Sequence, residues 1–505
     1  MKHISSLDKI YAFEIVSFFL IIFGIVPRWW ALVLACVLVV YSIATSLEDA
    51  TTLFVRSIPL FIALPITHSF DNFNTWRIVS LVIFLRWAIV QYQKSNLKIQ
   101  NDNIKIKILF ISLLCISAFS IFVAADTMIA LKRLIYFINL SFVAIVAYDL
   151  IEKHQDYGRR IIQNFIPPLI IVLAVGFFQL ASTYFFDIYQ FIGFWGSRVQ
   201  CLQFGSEWCG IAINQGNTWF AYNSFGQINL RMFSLFTDSH TFPMYILMTI
   251  PAVFAYASER INFTSLKTAV RTRARLLVLL VPLGFLAAIL SNTRGIWLAG
   301  WGITLVALVT AIAWHRTVIR YLTGFLIIYL LMFAFVYPLS ATPQFHLWAG
   351  QATLGSRIHS IIDFSETSNK LRLAIWKASA LSTLHHPLLG VGIGNFPSVL
   401  GQDISLAKAG SSAHNLYLQI GAELGIPALL IALALLWIIF KRAFDIFKKS
   451  SVPFDQLYFG ALLIVVPWLY AYLMTDAALF DERAFLMFSI LAVTILGYEQ
   501  IPTSR

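Results

Sequence analysis

Roughly fourteen stretches of this chain are apolar enough, and close enough to the ~20 residues a membrane helix requires, to be candidate spans. They lie near 8–27, 30–46, 52–66, 77–92, 108–125, 127–150, 162–185, 239–257, 276–291, 296–313, 320–338, 415–440, 456–475 and 484–498. The stretch 52–66 is the least regular, because it carries Arg56 and Pro59. Composition points the same way. The 505 residues are 59% hydrophobic and 12% charged, against the ~25% charged share of a soluble domain. Backbone polar groups inside a bilayer must be satisfied within the segment, which favours helices. The expected fold class is therefore an all-α polytopic membrane protein with about 12–14 transmembrane helices. There is no internal repeat and no low-complexity tract, so 1–505 reads as a single integral membrane domain. The first apolar run has no small-x-small cleavage pattern and is expected to remain as a helix.

The formal net charge is +12. In a soluble chain that would raise the question of nucleic acid. Here no nucleic-acid-binding motif accompanies it, and the basic residues gather in loops at 93–107, 151–160, 258–275 and 441–449. Membrane lipids, and not nucleic acid, are the expected surroundings. Cytoplasmic loops collect Lys and Arg. Placing those four loops in the cytoplasm and alternating the helices gives a consistent parity, with both termini inside. Two long segments then face the periplasm, a first loop at 186–238 and a second at 339–414. Loops of that length are usually functional or disordered. The second contains Ser368 ahead of an amphipathic run with Leu371, Ile375 and Leu381, a capped helix expected to lie against the membrane or the bundle as a cap. Cys201 and Cys209 share the first loop and are either a disulfide or two free thiols. Cys36 and Cys115 sit in apolar runs and read as packing residues.

The densest chemical signal is Ser411-Ser412-Ala413-His414-Asn415-Leu416-Tyr417, which closes the second loop and opens a membrane helix. Ser411 or Ser412 is the expected cap of that helix. His414 would sit at its N-terminus, where the dipole disfavours an imidazolium, and a neutral imidazole suits a general base. A histidine bonded to a loop carbonyl is the plainer alternative. Glu423 comes nine residues later, on the opposite helix face, and reads as a structural partner for a neighbouring helix. Arg231, Arg294 (in Ser291-Asn292-Thr293-Arg294-Gly295) and Arg372 are all expected at the outer surface. Arginine grips phosphate bidentately, so three from separate segments can clamp one pyrophosphate. Each alone is more simply a lipid-headgroup contact. Lys132 and Arg133 interrupt an apolar run near its outer end, where long cations snorkel to the interface. Gly390-Val391-Gly392-Ile393-Gly394 lacks the strand and Lys-Ser/Thr of a nucleotide loop and reads as a turn. His385-His386 lacks companions at metal-ligand spacing, and no metal is expected.

In their order along the chain these motifs resemble the O-antigen ligase and O-antigen polymerase superfamily of lipid-linked glycan transferases of the bacterial envelope. The resembling stretch runs from about Arg231 to Gly425, and His414-Asn415-x-Tyr417-Leu418 with Glu423-x-Gly425 is its most specific part. Thr237-Asp238-Ser239-His240 departs from the Phe-x-x-Pro-Asn-type stretch often found after the first arginine. The resemblance implies a GT-C-like fold in the inner membrane with its active face periplasmic. It implies an inverting, metal-independent glycosyltransferase with no cofactor. The donor would be a glycan on undecaprenyl pyrophosphate. The acceptor would be a hydroxyl of lipid A-core (ligase) or of a growing glycan (O-antigen or exopolysaccharide polymerase), or a protein hydroxyl. His414 would be the base. Arg231, Arg294 and Arg372 would hold the pyrophosphate, with Glu423, Asn415 and Tyr417 in support. A transporter of lipid-linked sugars is the reading from another class. It predicts pseudo-repeats and midplane charges, which the sequence does not show.

Overall fold

The computed structural model describes residues 5–67, 71–93, 104–154, 156–206, 208–209, 218–222, 228–260, 274–313, 316–340, 342, 344–345, 367–401 and 412–498. The chain is mostly helical. In order come α1 (Ser6–Ile22), α2 (Trp30–Ala44), α3 (Leu47–Ser57), α4 (Thr75–Gln93), α5 (Ile104–Phe119), α6 (Thr127–Lys153), α7 (Tyr157–Gln163) and α8 (Ile166–Ser182). They continue with α9 (Thr241–Arg260), α10 (Ala274–Leu290), α11 (Arg294–Ala313), α12 (Arg316–Ser340), α13 (Thr367–His385), α14 (Leu416–Lys449), α15 (Pro453–Tyr472) and α16 (Glu482–Gly497).

Among the described residues, five helical stretches are long and apolar enough to cross a membrane: Ile104–Val123, Thr127–Lys153, Tyr157–Ser182, Leu416–Lys449 and Pro453–Tyr472. Shorter apolar helices join them at Trp30–Ala44, Thr241–Ala257, Leu279–Leu290 and Thr323–Val336. The chain is a multi-pass membrane protein. Packing sorts the helices by environment. Helix α9 lies against α10 and α15, and α6 against α16 and α4. Trp76, Trp297 and Trp468 are fully buried between them. By contrast α5 leaves Ile104, Ile108, Ile111 and Phe119 exposed, as a helix facing lipid does. Cys36 and Cys115 are exposed as well, so neither is the packing residue expected from its apolar run.

The expected span at 52–66 is corrected. Ser46 caps α3 one turn earlier, accepting from the Asp49 N–H. The helix ends at Ser57, before a short 3₁₀ turn (Ile58–Leu60) containing Pro59. Proline in a helix interior removes a hydrogen bond and clashes with the preceding turn. The chain then extends into a small hairpin, Ala63 pairing Asn74 and Leu64 pairing Phe73. At 1.5 Å per residue α3 is only about 16 Å long. Arg56 is not marooned in lipid, because it meets Asp8 at 2.7 Å and Asn164 at 2.6 Å.

The alternation of ends survives this correction. Glu48 and Asp49 lie beside His154 and Arg160, and Arg442 donates to the Tyr498 carbonyl at 3.1 Å. At the far end Arg28 meets Asp71 at 2.5 Å and Ser206 donates to the same carboxylate at 2.9 and 3.0 Å. The first loop adds a π-helix (Ile192–Gln200), a hairpin of Phe220–Tyr222 with Ile228–Leu230, and a disulfide between Cys201 and Cys209. Of the second loop, 346–366 and 402–411 lie outside the described residues, as do the Ser368 side chain and Ser411. Helix α13 is present, with Ile375 packed on Phe396, Ala413 and Ala422. Leu371 and Leu381 are exposed on it.

Candidate functional site

Four connections meet at the end of the bundle opposite the 154–160 loop. They are 231–240 before α9, 291–295 between α10 and α11, 412–415 before α14, and 473–481 between α15 and α16. Backbone hydrogen bonds stitch them together. Met232 N–H donates to the Leu290 carbonyl at 3.1 Å, and Leu416 N–H to the Leu473 carbonyl at 2.9 Å. Asn292 Nδ2 donates to the Leu230 carbonyl at 3.0 Å and Thr293 Oγ1 to the Ser239 carbonyl at 2.6 Å. Tyr472 OH donates to the His240 carbonyl at 3.1 Å. Gly295 is required where α11 begins, because a Cβ there would stand 2.1 Å from Thr475 Oγ1. Helix α13 joins through Trp376 Nε1, which donates to the Ala413 carbonyl at 3.0 Å. Arg372 is one turn before Trp376 on the same helix face.

His414 is not inside the helix, nor is a serine its cap. Asn415 caps α14, its Oδ1 accepting from Tyr417 and Leu418 N–H at 3.0 and 3.1 Å. His414 precedes it in the left-handed region at φ +47. A positive φ is uncommon outside glycine, although histidine, asparagine and aspartate adopt it more readily than other residues. Ser412 Oγ accepts the His414 N–H at 3.2 Å. Ser234 (φ 51) and Asn292 (φ 54), in two of the other connections, share this conformation. Burial lowers the His414 pKa below 6.5, and Arg372 and His240 lower it further while Asp476 opposes them. The ring is therefore neutral at physiological pH, as a base must be.

Asp476 joins the connections electrically. It lies 2.9 Å from His240 Nδ1, both side chains being largely buried. The carboxylate stands off the direction of the ring N–H, so the contact is a close charge approach more than an aligned hydrogen bond. Burial pushes the Asp476 pKa up, but His240 foremost, then His414 and Arg372, pull it well below the usual carboxylate range. On its other side His240 Nε2 lies 3.2 Å from Arg231 Nη2. A guanidinium has no acceptor, so this contact is a hydrogen bond only when Nε2 carries no proton. Burial brings the Arg231 pKa down to about 10, with Arg294 also lowering it and Tyr472, Asp238 and Asp476 opposing. It stays charged at neutral pH. Arg231, Arg294, Arg372 and His414 thus act electrostatically on one another or on Asp476. All three arginines are half-buried.

The residues read as supporting sit one layer away. Tyr417 OH donates to the Tyr470 carbonyl at 2.9 Å. Glu423 is buried, taking Gln419 Nε2 at 3.1 Å and Gly394 N–H at 2.9 Å. It pins the glycine turn onto the kink of α14, where Gly425 adopts φ 84. Gly390 (φ +61) fits there because a Cβ would meet the Glu423 backbone at 2.3 Å. His385 and His386 are exposed. Sequence reasoning missed Asp476 and gave His240 no role. The signals were a carboxylate in the short polar turn Met474-Thr475-Asp476, and a histidine nine residues beyond Arg231.

These features define a class: a multi-pass membrane protein with a half-buried cluster of arginine, histidine and carboxylate at one end of its helix bundle. Residues 277–433 match the family model described as O-antigen ligase, Wzy_C, a domain shared by O-antigen ligases and polymerases. That family implies an enzyme that transfers glycans, acting on lipid-linked glycan substrates. The matched segment contains Arg294, Arg372, His414, Asn415, Tyr417 and Glu423, while Arg231, His240 and Asp476 fall outside it. No curated protein matches the chain.

Proposed function

We propose that this protein transfers a glycan from undecaprenyl pyrophosphate to a hydroxyl acceptor at the periplasmic face, as an O-antigen ligase does with lipid A-core. The single observation supporting this is the gathering of Arg231, Arg372 and His414 around Asp476, with Arg294 acting on Arg231. His414 takes the proton from the acceptor hydroxyl as its oxygen attacks the anomeric carbon. The anomeric C–O bond to the pyrophosphate breaks as the new glycosidic bond forms, and the configuration inverts. The three guanidiniums hold the pyrophosphate and take up the charge that develops on the leaving oxygen. Preorganised cations acting where charge develops are usually the largest catalytic contribution, and a positioned base adds about 10²–10⁴-fold. Asp476 and His240 hold Arg231 in place.

The test is glycan transfer in a strain lacking the native gene, comparing wild type with His414→Ala at matched membrane expression. Wild type should cap lipid A-core with polymer, while His414→Ala should leave polymer on its lipid carrier. If wild type restores only chain extension, the acceptor is a growing glycan and the protein is a polymerase. Undiminished transfer by His414→Ala would remove the base assignment.

A further inference from the structure

Two further arginines sit on the other side of the 473–481 connection, and the site above leaves them unused. Arg77 lies at the start of α4 and Arg133 nearly two turns into α6. Their guanidinium carbons are 5.7 and 5.4 Å from the centroid of the same Tyr136 ring. Arg77 also stacks on Phe73 and Trp76, at 5.6 and 5.4 Å. Arg133 stacks on Phe137 and Phe480, at 5.2 and 5.8 Å. Both residues are half-buried.

Carboxylates stand nearby, yet other donors already serve them. Glu482 accepts from Asn74 Nδ2 at 2.9 Å and Trp76 Nε1 at 2.7 Å. Glu423 accepts from Gln419 and Gly394. Asp481 accepts from Thr237 Oγ1 at 3.0 Å and caps α16. Among the described residues, no hydrogen bond or ion pair to protein is made by either guanidinium, and Arg77 Nε is buried without a partner. Stacking fixes the plane of a guanidinium and leaves its N–H edge available. Two such edges beside one ring suit a phosphate or pyrophosphate, which arginine grips through paired hydrogen bonds. An ordinary aromatic staple needs neither a second arginine at the same ring nor uncommitted donors at the bundle end where chemistry is placed.

We infer that Arg77 and Arg133, flanking Tyr136, form a second phosphate site that holds a phosphate-bearing lipid substrate while the donor occupies the Arg231–Arg294–Arg372 site. The inference rests on the proposed function and deepens it. The turn from Asp476 to Phe480 separates the two sites, with Asp476 facing His240 and Phe480 facing Arg133. An enzyme joining two lipid-linked glycans must hold two phosphate headgroups at once, one leaving and one staying. Within the proposed transfer from a lipid pyrophosphate, the second site therefore favours the growing-glycan acceptor, itself phosphate-linked to lipid, over lipid A-core.

The experiment is equilibrium binding of farnesyl pyrophosphate, as a short isoprenoid pyrophosphate probe, to the full chain in phosphatidylcholine nanodiscs. Wild type should bind two equivalents, both displaced by inorganic pyrophosphate. Arg77→Gln with Arg133→Gln should bind one, and Arg294→Gln with Arg372→Gln should bind the other one. Two equivalents retained by the Arg77/Arg133 variant would overturn the inference. So would loss of both, because the pair would then serve the first site or the fold. A single wild-type equivalent that disappears with Arg294 and Arg372 would overturn it while leaving the proposed function standing. No binding at all would undo both. A second equivalent that vanishes in phosphatidylglycerol nanodiscs would show the arginines holding an ordinary anionic lipid, which also overturns it. Failure of inorganic pyrophosphate to displace that equivalent would do the same, since the site would then read the isoprenoid chain.

Discussion

The 154–160 end of the bundle and the cluster around the 473–481 connection hold charge in different ways. At the 154–160 end cations meet carboxylates directly: Arg160 with Asp49, Lys153 with Asp149 at 2.8 Å, and His154 with Glu48 at 3.3 Å. The Lys153 and His154 side chains are well exposed. In that cluster Arg231, Arg294 and Arg372 are half-buried, Arg231 and Arg372 act on or are acted on by Asp476, and Arg231 Nη2 lies 3.2 Å from His240 Nε2. Exposed pairs neutralise themselves and contribute little. Half-buried cations act more strongly on a ligand than exposed ones, because the surrounding dielectric is low. The first arrangement is exposed and paired, whereas the second is where the proposed pyrophosphate would be held.

The sharpest way to break this comparison is to remove charge from the anion-binding end. Arg294→Gln or Arg372→Gln should lower kcat for glycan transfer by about 10²–10³-fold, the usual loss for one transition-state donor. Replacement by Lys should recover little, since a point charge cannot reproduce a bidentate grip. Steady-state assay in nanodiscs reads both. A smaller effect is expected at Asp476→Asn. It removes the carboxylate that raises the His414 pKa and orients His240. Transfer should fall about tenfold or more, the scale of lost charged partners at 1–3 kcal/mol. The acid limb of the pH profile should move to lower pH, because a group losing an anionic neighbour protonates less readily. The smallest effect belongs to the closed end. Asp49→Ala removes the exposed Arg160 pair and should change stability by only about 0–1 kcal/mol, read by thermal unfolding in detergent, with transfer unchanged. A large loss of transfer there would mean that the two ends do not divide the work.

Much of the architecture was legible in the sequence, since the bilayer admits few solutions. Apolar runs of the required length marked nearly every helix among the described residues. The run at 52–66 misled because apolar residues facing protein look the same as apolar residues facing lipid. Only the Asp8 and Asn164 partners of Arg56 distinguish the two. His414 and the arginines were visible as polar residues where a membrane protein can least use them casually. Asp476 was not, because its importance comes from what the fold brings to it: His240 from the start of α9 and Arg372 from α13. The cap of α14 was misjudged by a few residues. Serine and asparagine both cap well, and the left-handed turn at His414 decides between them. Arg133 looked like a snorkelling cation until its rings were placed, and Arg77 carried no sequence signal.

The most direct measurement of the central claim, that a neutral His414 serves as base at the anion-binding end, is the pH dependence of kcat/KM for donor consumption by the purified protein. The folded-state pKa of His414 is held below the ordinary 6.5, and a base works only when unprotonated. The acid limb of the rate should therefore have its midpoint below 6.5 and fall with unit slope beneath it, and the residual activity of His414→Ala should lack that limb. An acid limb that persists unchanged in His414→Ala would assign the proton to another group and contradict the account.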